Sequence, residues 1–136
     1  MKTTNDNILF YEFRCFTEKN GNLIPIEGNI DVPFHIKRIF YVYDVKDNDV
    51  RGQHAHYKTE QVLVCLNGKV DVRCFDGTTW VSYVLDSPKK ALFIPAMIWD
   101  EQVYYNGSFL CVFADQRYSR DDYIFDINEF KERKNE

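Results

Sequence analysis

Four dipeptides punctuate the chain: Asn20-Gly21, Asn67-Gly68, Asp76-Gly77 and Asn106-Gly107. Two-residue type I′ turns need positive φ at both central positions, which Asn-Gly and Asp-Gly accept, so each dipeptide marks a candidate hairpin. The segments between them are short and read as strands. Ile36–Tyr43, Gln61–Leu66, Trp80–Leu85, Ala91–Ile94 and Phe109–Ala114 are mostly apolar, and Val70, Val72 and Cys74 alternate with Asp71 and Arg73. Aromatic residues make up 16% of the chain, and aromatic and β-branched side chains favour strands. Strands recurring every 8–12 residues predict an all-β sandwich or barrel. The N-terminal run Ile8–Phe16 also reads as strand. The tail alone reads as helix: Asp121–Phe130 opens on acids, and Lys131, Arg133 and Lys134 lie near its end.

The remaining arithmetic excludes classes of function. A length of 136 residues predicts one domain over 1–136. No apolar run reaches the 18 residues of a spanning helix, and Met1–Asn7 lacks the apolar stretch of a signal peptide, so a cytoplasmic protein without membrane association is expected. Seventeen Lys and Arg against 21 Asp and Glu disfavour a nucleic-acid partner, which needs a basic surface. They do not disfavour one anionic small ligand held by a few arginines. Cys15, Cys65, Cys74 and Cys111 form no CxxC pair and read as reduced core thiols.

Histidine is scarce, with only His35, His54 and His56, and His54-Ala55-His56 is the informative pair. In a strand, positions i and i+2 face the same way, so the two imidazoles point together. Gly52 allows a turn or a close ligand approach just before them. Two imidazoles on one face suit acid/base chemistry or metal ligation. Alone, the pattern is also met on an edge strand. His35 stands apart and reads as a surface residue.

Gly52, His54, His56, Glu60 and Gly68 together resemble the first motif of the cupins, a family of double-stranded jelly-roll β-barrels. A metal-binding cupin takes a fourth ligand from a His shortly after a Pro-x-Gly. This chain reads Pro95-Ala96-Met97-Ile98-Trp99-Asp100 there, without that His, so no metal is expected. From about Leu23 to Phe130 the chain resembles the dTDP-sugar 3,4-ketoisomerases, a metal-independent cupin branch. Arg51-Gly52-Gln53-His54-Ala55-His56 and the Gln61–Gly68 run carry the resemblance. Pro33-Phe34, Lys37-Arg38, Tyr41, Pro95, Trp99 and Asp122-Tyr123-Ile124 support it.

The resemblance implies a cupin-type jelly-roll barrel with a short C-terminal helix. It implies action on dTDP-4-keto-6-deoxyglucose without a cofactor, moving the carbonyl from C4 to C3. The product would feed a transaminase that makes 3-amino-3,6-dideoxy sugars for surface polysaccharides or glycosylated metabolites. A homodimer with strands exchanged at the N-terminus is also implied. The galacto configuration at C4 is the expected product.

The residues support that chemistry in their own right. A C4 ketone acidifies the C3 hydrogen; a base removes it, and an acid returns a proton at C4. Histidine, with an ordinary pKa of about 6.5, suits both tasks. His54 and His56 are therefore the expected proton carriers, with His54 the favoured base. Tyr41 and Arg51 are the further catalytic candidates, as stabilisers of enediolate charge. Arg38 and Arg51 are candidates for the diphosphate, since Arg pairs with phosphate oxygens in bidentate fashion. Tyr43, Gln61, Trp99 and Asp100 complete the expected substrate-binding set, Trp99 as a flat face for sugar or thymine. Glu60 reads as structural.

Two departures from the family pattern stand out. Glu18-Lys19-Asn20-Gly21 replaces an Asp-x-Arg-Gly turn, leaving Arg14 to fill that arginine's place. Asp100 stands where relatives carry His. The competing readings are a metal-dependent cupin enzyme, a non-catalytic nucleotide-sugar-binding cupin and an epimerase acting on the same nucleotide sugar.

Overall fold

The computed structural model describes residues 2–4 and 7–136. Among the described residues there are thirteen strands: β1 (Lys2–Thr4), β2 (Ile8–Glu12), β3 (Phe16–Glu18), β4 (Gly21–Leu23), β5 (Arg38–Tyr43), β6 (Val50–His56), β7 (Gln61–Asn67), β8 (Val70–Phe75), β9 (Trp80–Leu85), β10 (Lys90–Ile94), β11 (Trp99–Tyr104), β12 (Phe109–Ala114) and β13 (Tyr123–Ile124). One helix, α1 (Ile127–Lys134), closes the chain. The strands form a six-stranded sheet, β1-β2-β10-β7-β12-β5, and a five-stranded sheet, β13-β6-β11-β8-β9. From β5 to β12 the chain crosses between these sheets at every step except β8 to β9. That is the winding of a jelly roll.

Alternation along the strands sends one row of side chains between the sheets. Leu63, Cys65, Val70, Val72, Cys74, Leu85, Leu92, Ile94, Leu110 and Val112 form that inner core, with Tyr104 fully buried among them. The opposite face of the six-stranded sheet is not solvent either. Val62, Val64, Phe93, Cys111 and Phe113 pack there under Val32 and Phe34 from the segment 24–36. Arg14 pins that segment by pairing with Asp31 and Glu27. This engagement commits the Arg14 guanidinium to two carboxylates of its own chain. A third cluster joins Ala55, Phe75, Trp99, Ile124 and Phe130, so α1 covers the outer face of the five-stranded sheet.

Two local expectations change. In each of the four dipeptides the Gly has positive φ but the Asn or Asp before it does not, so none is a type I′ turn. Asn20-Gly21 and Asp76-Gly77 join paired strands, whereas Asn67-Gly68 and Asn106-Gly107 arch from one sheet to the other. The two arches touch: a Cβ on Gly68 would stand 2.9 Å from the Ser108 Cα. The tail also differs. Residues Arg120–Asp122 make a single 3-10 turn, Tyr123–Ile124 pair with His56 and Ala55, and α1 starts only at Ile127. The Asp126 carboxylate caps α1 by accepting from the Asn128 and Glu129 amides, a stronger start signal than the acids at 121 and 122.

The N-terminal strand β2 pairs antiparallel with β10 of the same chain, Glu12 opposite Lys90 and Leu9 opposite Phe93.

Candidate active site

A bulge in β6 sets the face that carries the two histidines. Asp100 on β11 lies opposite His54, but the next step up, Glu101, lies opposite Gly52, which leaves Gln53 as the extra residue. Gly52 and Gln53 both have left-handed φ, 81° and 57°. A side chain at 52 would also put its Cβ 3.0 Å from Asp100 Oδ1. Beyond the bulge His54 and His56 face the space between the sheets, their rings edge to face at 5.0 Å.

His56 is buried and His54 is half-buried. The His56 Nδ1 lies 3.2 Å from Asp122 Oδ2. Burial pushes the Asp122 carboxyl up. A hydrogen bond from the Thr59 hydroxyl, others from the Lys58 and Thr59 amides, and nearby His56 outweigh that and leave it below its ordinary value. Asp122 is therefore an ionised acceptor, and His56 Nδ1 carries the proton that faces it. Burial pulls the His56 pKa down to about 4, with the charges of His54 and Arg38 adding to the effect and Asp122 opposing it. At neutral pH His56 is an uncharged imidazole in a fixed tautomer. Its Nε2 is buried and has no hydrogen-bond partner among the described residues. Such an orphan acceptor marks a place where a ligand or water belongs.

Tyr123, brought alongside by β13, lies against both rings, 4.3 Å from His56 and 5.0 Å from His54 between centroids. Its other side stacks on Phe125 at 5.3 Å. Arg38 lies beside its phenol, and the two line an open cleft of 270 Å³ together with Phe40 and Tyr118. The Arg38 guanidinium lies 5.7 Å from the Tyr118 ring, and that of Arg120 lies 5.0 Å from Phe125. An aromatic and cationic rim of this kind suits a flat, anionic ligand. Along the inner face, Arg38, Ala114 and Gln61 stand in one row across β5, β12 and β7. The small Ala114 leaves room between the two polar residues. Gln61 is thus buried on the inner face, level with Arg38.

Asp100 belongs to the same neighbourhood. It is buried, faces inward opposite His54, and accepts from Gln102 Nε2 at 2.9 Å; Gln102 in turn accepts from the Tyr104 hydroxyl at 2.7 Å. Burial raises the Asp100 carboxyl, while His54 and Gln102 pull the other way.

Four expected site residues lie elsewhere. Tyr41 and Tyr43 point out of the six-stranded sheet, because alternation on β5 gives the inner positions to Arg38, Phe40 and Val42. They stack on Phe109 at 5.2 and 5.6 Å, away from the imidazoles. Trp99 sits on the outer face of β11, packed on Phe130 with its indole N–H donating to Glu101, so it is wall and not sugar platform. Arg51 shares the inner row through the bulge, opposite Gln102, yet its exposed side chain lines a separate cleft with Tyr43, Lys46 and Asp49. Its charge acts on the Tyr104 hydroxyl. Glu60 and His35 lie outside the site, Glu60 beside Asp115 and His35 on the surface.

Reading from sequence missed Asp122 and Tyr123 as site residues, because the acids at 121 and 122 suggested a helix start. The signal present was Tyr123-Ile124, strand-type residues within a motif of the family resemblance. Among the described residues no three His, Cys, Asp or Glu side chains group to hold a metal ion.

A jelly roll carrying paired histidines, a carboxylate behind one of them and a cationic, aromatic mouth defines a cupin-type site for acid/base chemistry. The family profile FdtA, described as WxcM-like, C-terminal, matches residues 6–135. The chain belongs to that family. It is 39% identical over 120 residues to a TDP-4-oxo-6-deoxy-alpha-D-glucose-3,4-oxoisomerase from Aneurinibacillus thermoaerophilus, covering 88% of this chain and 86% of that one. Its fold matches a 3,4-ketoisomerase from Helicobacter canadensis with TM-score 0.93, 35% identity and 96% and 98% of the two chains covered. It also matches the 3,4-ketoisomerase QdtA from Thermoanaerobacterium thermosaccharolyticum, a histidine-to-asparagine mutant in complex with TDP-4-keto-6-deoxyglucose. That match has TM-score 0.92 and 34% identity, and covers 96% and 95% of the two chains.

Proposed function

We propose that this protein is a dTDP-sugar 3,4-ketoisomerase that moves the carbonyl of dTDP-4-keto-6-deoxyglucose from C4 to C3 through an enediol. The observation that carries the reading is the His54–His56 pair at an Arg38-lined mouth, with Asp122 fixing His56. His54, the half-exposed imidazole, removes the C3 proton and returns one at C4. Neutral His56 lies edge to face with His54, and its free Nε2 accepts from a sugar hydroxyl. Arg38 meets the diphosphate, and Gln61 and Asp100 line the sugar pocket. Positioned acid/base groups of this kind are typically worth ~10²–10⁴-fold. The chemistry balances within the substrate, so no cofactor is required.

The product is read as galacto-configured, and the protein as a cytoplasmic homodimer with exchanged N-terminal strands. No helix among the described residues is long and apolar enough to cross a membrane. Exposed Tyr41 and Tyr43 and the β2–β10 pairing support the dimer: exchange replaces an internal ladder by the same ladder between copies.

Proton NMR of the chelator-treated protein with dTDP-4-keto-6-deoxyglucose in D2O tests the function. A 3-keto product with deuterium at C4 is expected, its C4 coupling reporting galacto or gluco configuration, and His54→Asn should abolish turnover. An unchanged sugar without exchange at C3 would refute the reading.

A further inference from the structure

The site holds a hydroxyl that the proton-transfer scheme above does not use. Moving a carbonyl between adjacent carbons requires two proton movements, one between carbons and one between oxygens. O4 gains a hydrogen as its ketone becomes a hydroxyl, and O3 loses one. His54 works at carbon, and His56, neutral with its one N–H turned to Asp122, can accept from a sugar hydroxyl but offers O4 no proton. Tyr41, the tyrosine expected from sequence to stabilise enediolate charge, points outward. Tyr104 is fully buried, its hydroxyl donating to Gln102. Among the described residues Tyr123 is the tyrosine whose ring meets both His54 and His56, and it lines the mouth beside Arg38.

We propose that the Tyr123 hydroxyl carries the proton between the two sugar oxygens; the proposal rests on the ketoisomerase reading. In the first step His54 takes the C3 hydrogen as a proton. The C3–H electron pair becomes the C3–C4 double bond, and the C4–O π pair collects on O4, which takes the Tyr123 proton. Enediol, tyrosinate and imidazolium result. In the second step tyrosinate removes the O3 proton and the O3–H pair forms the C3 carbonyl. The C3–C4 π pair then takes the proton from His54 at C4. Both side chains return to their starting states, and no external acid, base or oxidant enters. Burial holds the Tyr123 phenol above its ordinary value, and the Arg38 guanidinium beside it, by charge and hydrogen bond, limits that rise and supports the transient tyrosinate. The stack on Phe125 and the pairing of β13 with β6 hold the ring in place.

Tyr123→Phe keeps the stacked ring and removes only the hydroxyl. Wild type and variant are compared in D2O with dTDP-4-keto-6-deoxyglucose, with TDP binding as the check on fold and pocket. Turnover is expected to fall about 10²-fold or more, while exchange at C3 falls less, so that the ratio of exchange to product rises. A merely structural loss would lower both equally and overturn the proposal, as would turnover within threefold of wild type. If Tyr123→Phe fails to bind TDP, 3-fluorotyrosine at 123 makes the phenol more acidic with no loss of contacts. The groups facing it are Arg38 on β5, His54 and His56 on β6, and Tyr118, Arg120 and Asp122 on its own segment. An alkaline limb of kcat moved to lower pH is expected, and an unmoved limb overturns the proposal. Wild type that leaves the sugar unchanged overturns the ketoisomerase reading itself. An active wild type with an equally active variant overturns only the role of Tyr123.

Discussion

His56 is kept neutral by the same burial that fixes it, and that has a cost at low pH. Its folded pKa of about 4 lies below the ordinary 6.5. Between those values the unfolded chain binds a proton that the folded chain refuses, so stability falls as pH drops through the window. The contribution is complete above about pH 6.5 and gone near pH 4, amounting to roughly 3 kcal/mol at about 1.36 kcal/mol per pKa unit. Urea unfolding of wild type and His56→Gln between pH 8 and 4 measures it. The stability gap between them should narrow by about that amount over the window; a constant gap would show that His56 titrates normally. The two histidines were legible as a pair from spacing alone. Their difference was not, since it comes from burial, which only the packed sheets decide, and from Asp122, which fixes the tautomer from 66 positions away in sequence once β13 pairs with β6.

At the scale of the element, the bulge decides what β6 presents. Strict alternation from His54 would turn Arg51 outward, and the extra residue Gln53 restores it to the inner row opposite Gln102. Gly52 permits this because its φ of 81° is open to glycine and its missing Cβ leaves space beside Asp100. Gly52→Ala should cost about 1–3 kcal/mol in backbone strain. It should also displace His54, and a shift near 1 Å at a reacting group costs on the order of 10²-fold in rate. Thermal unfolding and kcat of this variant check both, and an active, equally stable protein would show that the bulge tolerates a side chain. The strands themselves were readable from apolar runs and turn dipeptides. The bulge and the inter-sheet arches were not, because Gly52-Gln53 and Asn67-Gly68 carry the residues of ordinary turns, and only pairing across sheets decides their geometry. Trp99 failed as a pocket residue for the same kind of reason: period-two alternation gives two faces, and α1, through Phe130, claims the one that Trp99 occupies.

For the molecule as a whole, the aromatic row on the outer face of the six-stranded sheet is a feature the single chain leaves unexplained. Tyr41 and Tyr43 are 60% and 56% exposed, stacked on Phe109 beside exposed Ile39. Segment 24–36 covers the rest of that face and stops short of them. Two half-exposed tyrosines on each of two copies would bury about 300–500 Å² in all, at roughly 150–250 Å² per full side chain. A stable dimer needs about 1,200 Å² or more. The row alone is therefore too small; in the exchanged dimer proposed above, strand β2 would supply the balance through its ladder with β10. Light scattering of wild type should give twice the chain mass, and Tyr41→Arg with Tyr43→Arg should shift it toward monomer without unfolding, since both side chains are solvent-facing in one chain. Glu12→Cys with Lys90→Cys then locates the strand, because these residues are register partners. Oxidation should yield a covalent dimer on a denaturing gel. A disulfide confined to single chains would place β2 on its own subunit and overturn the exchange.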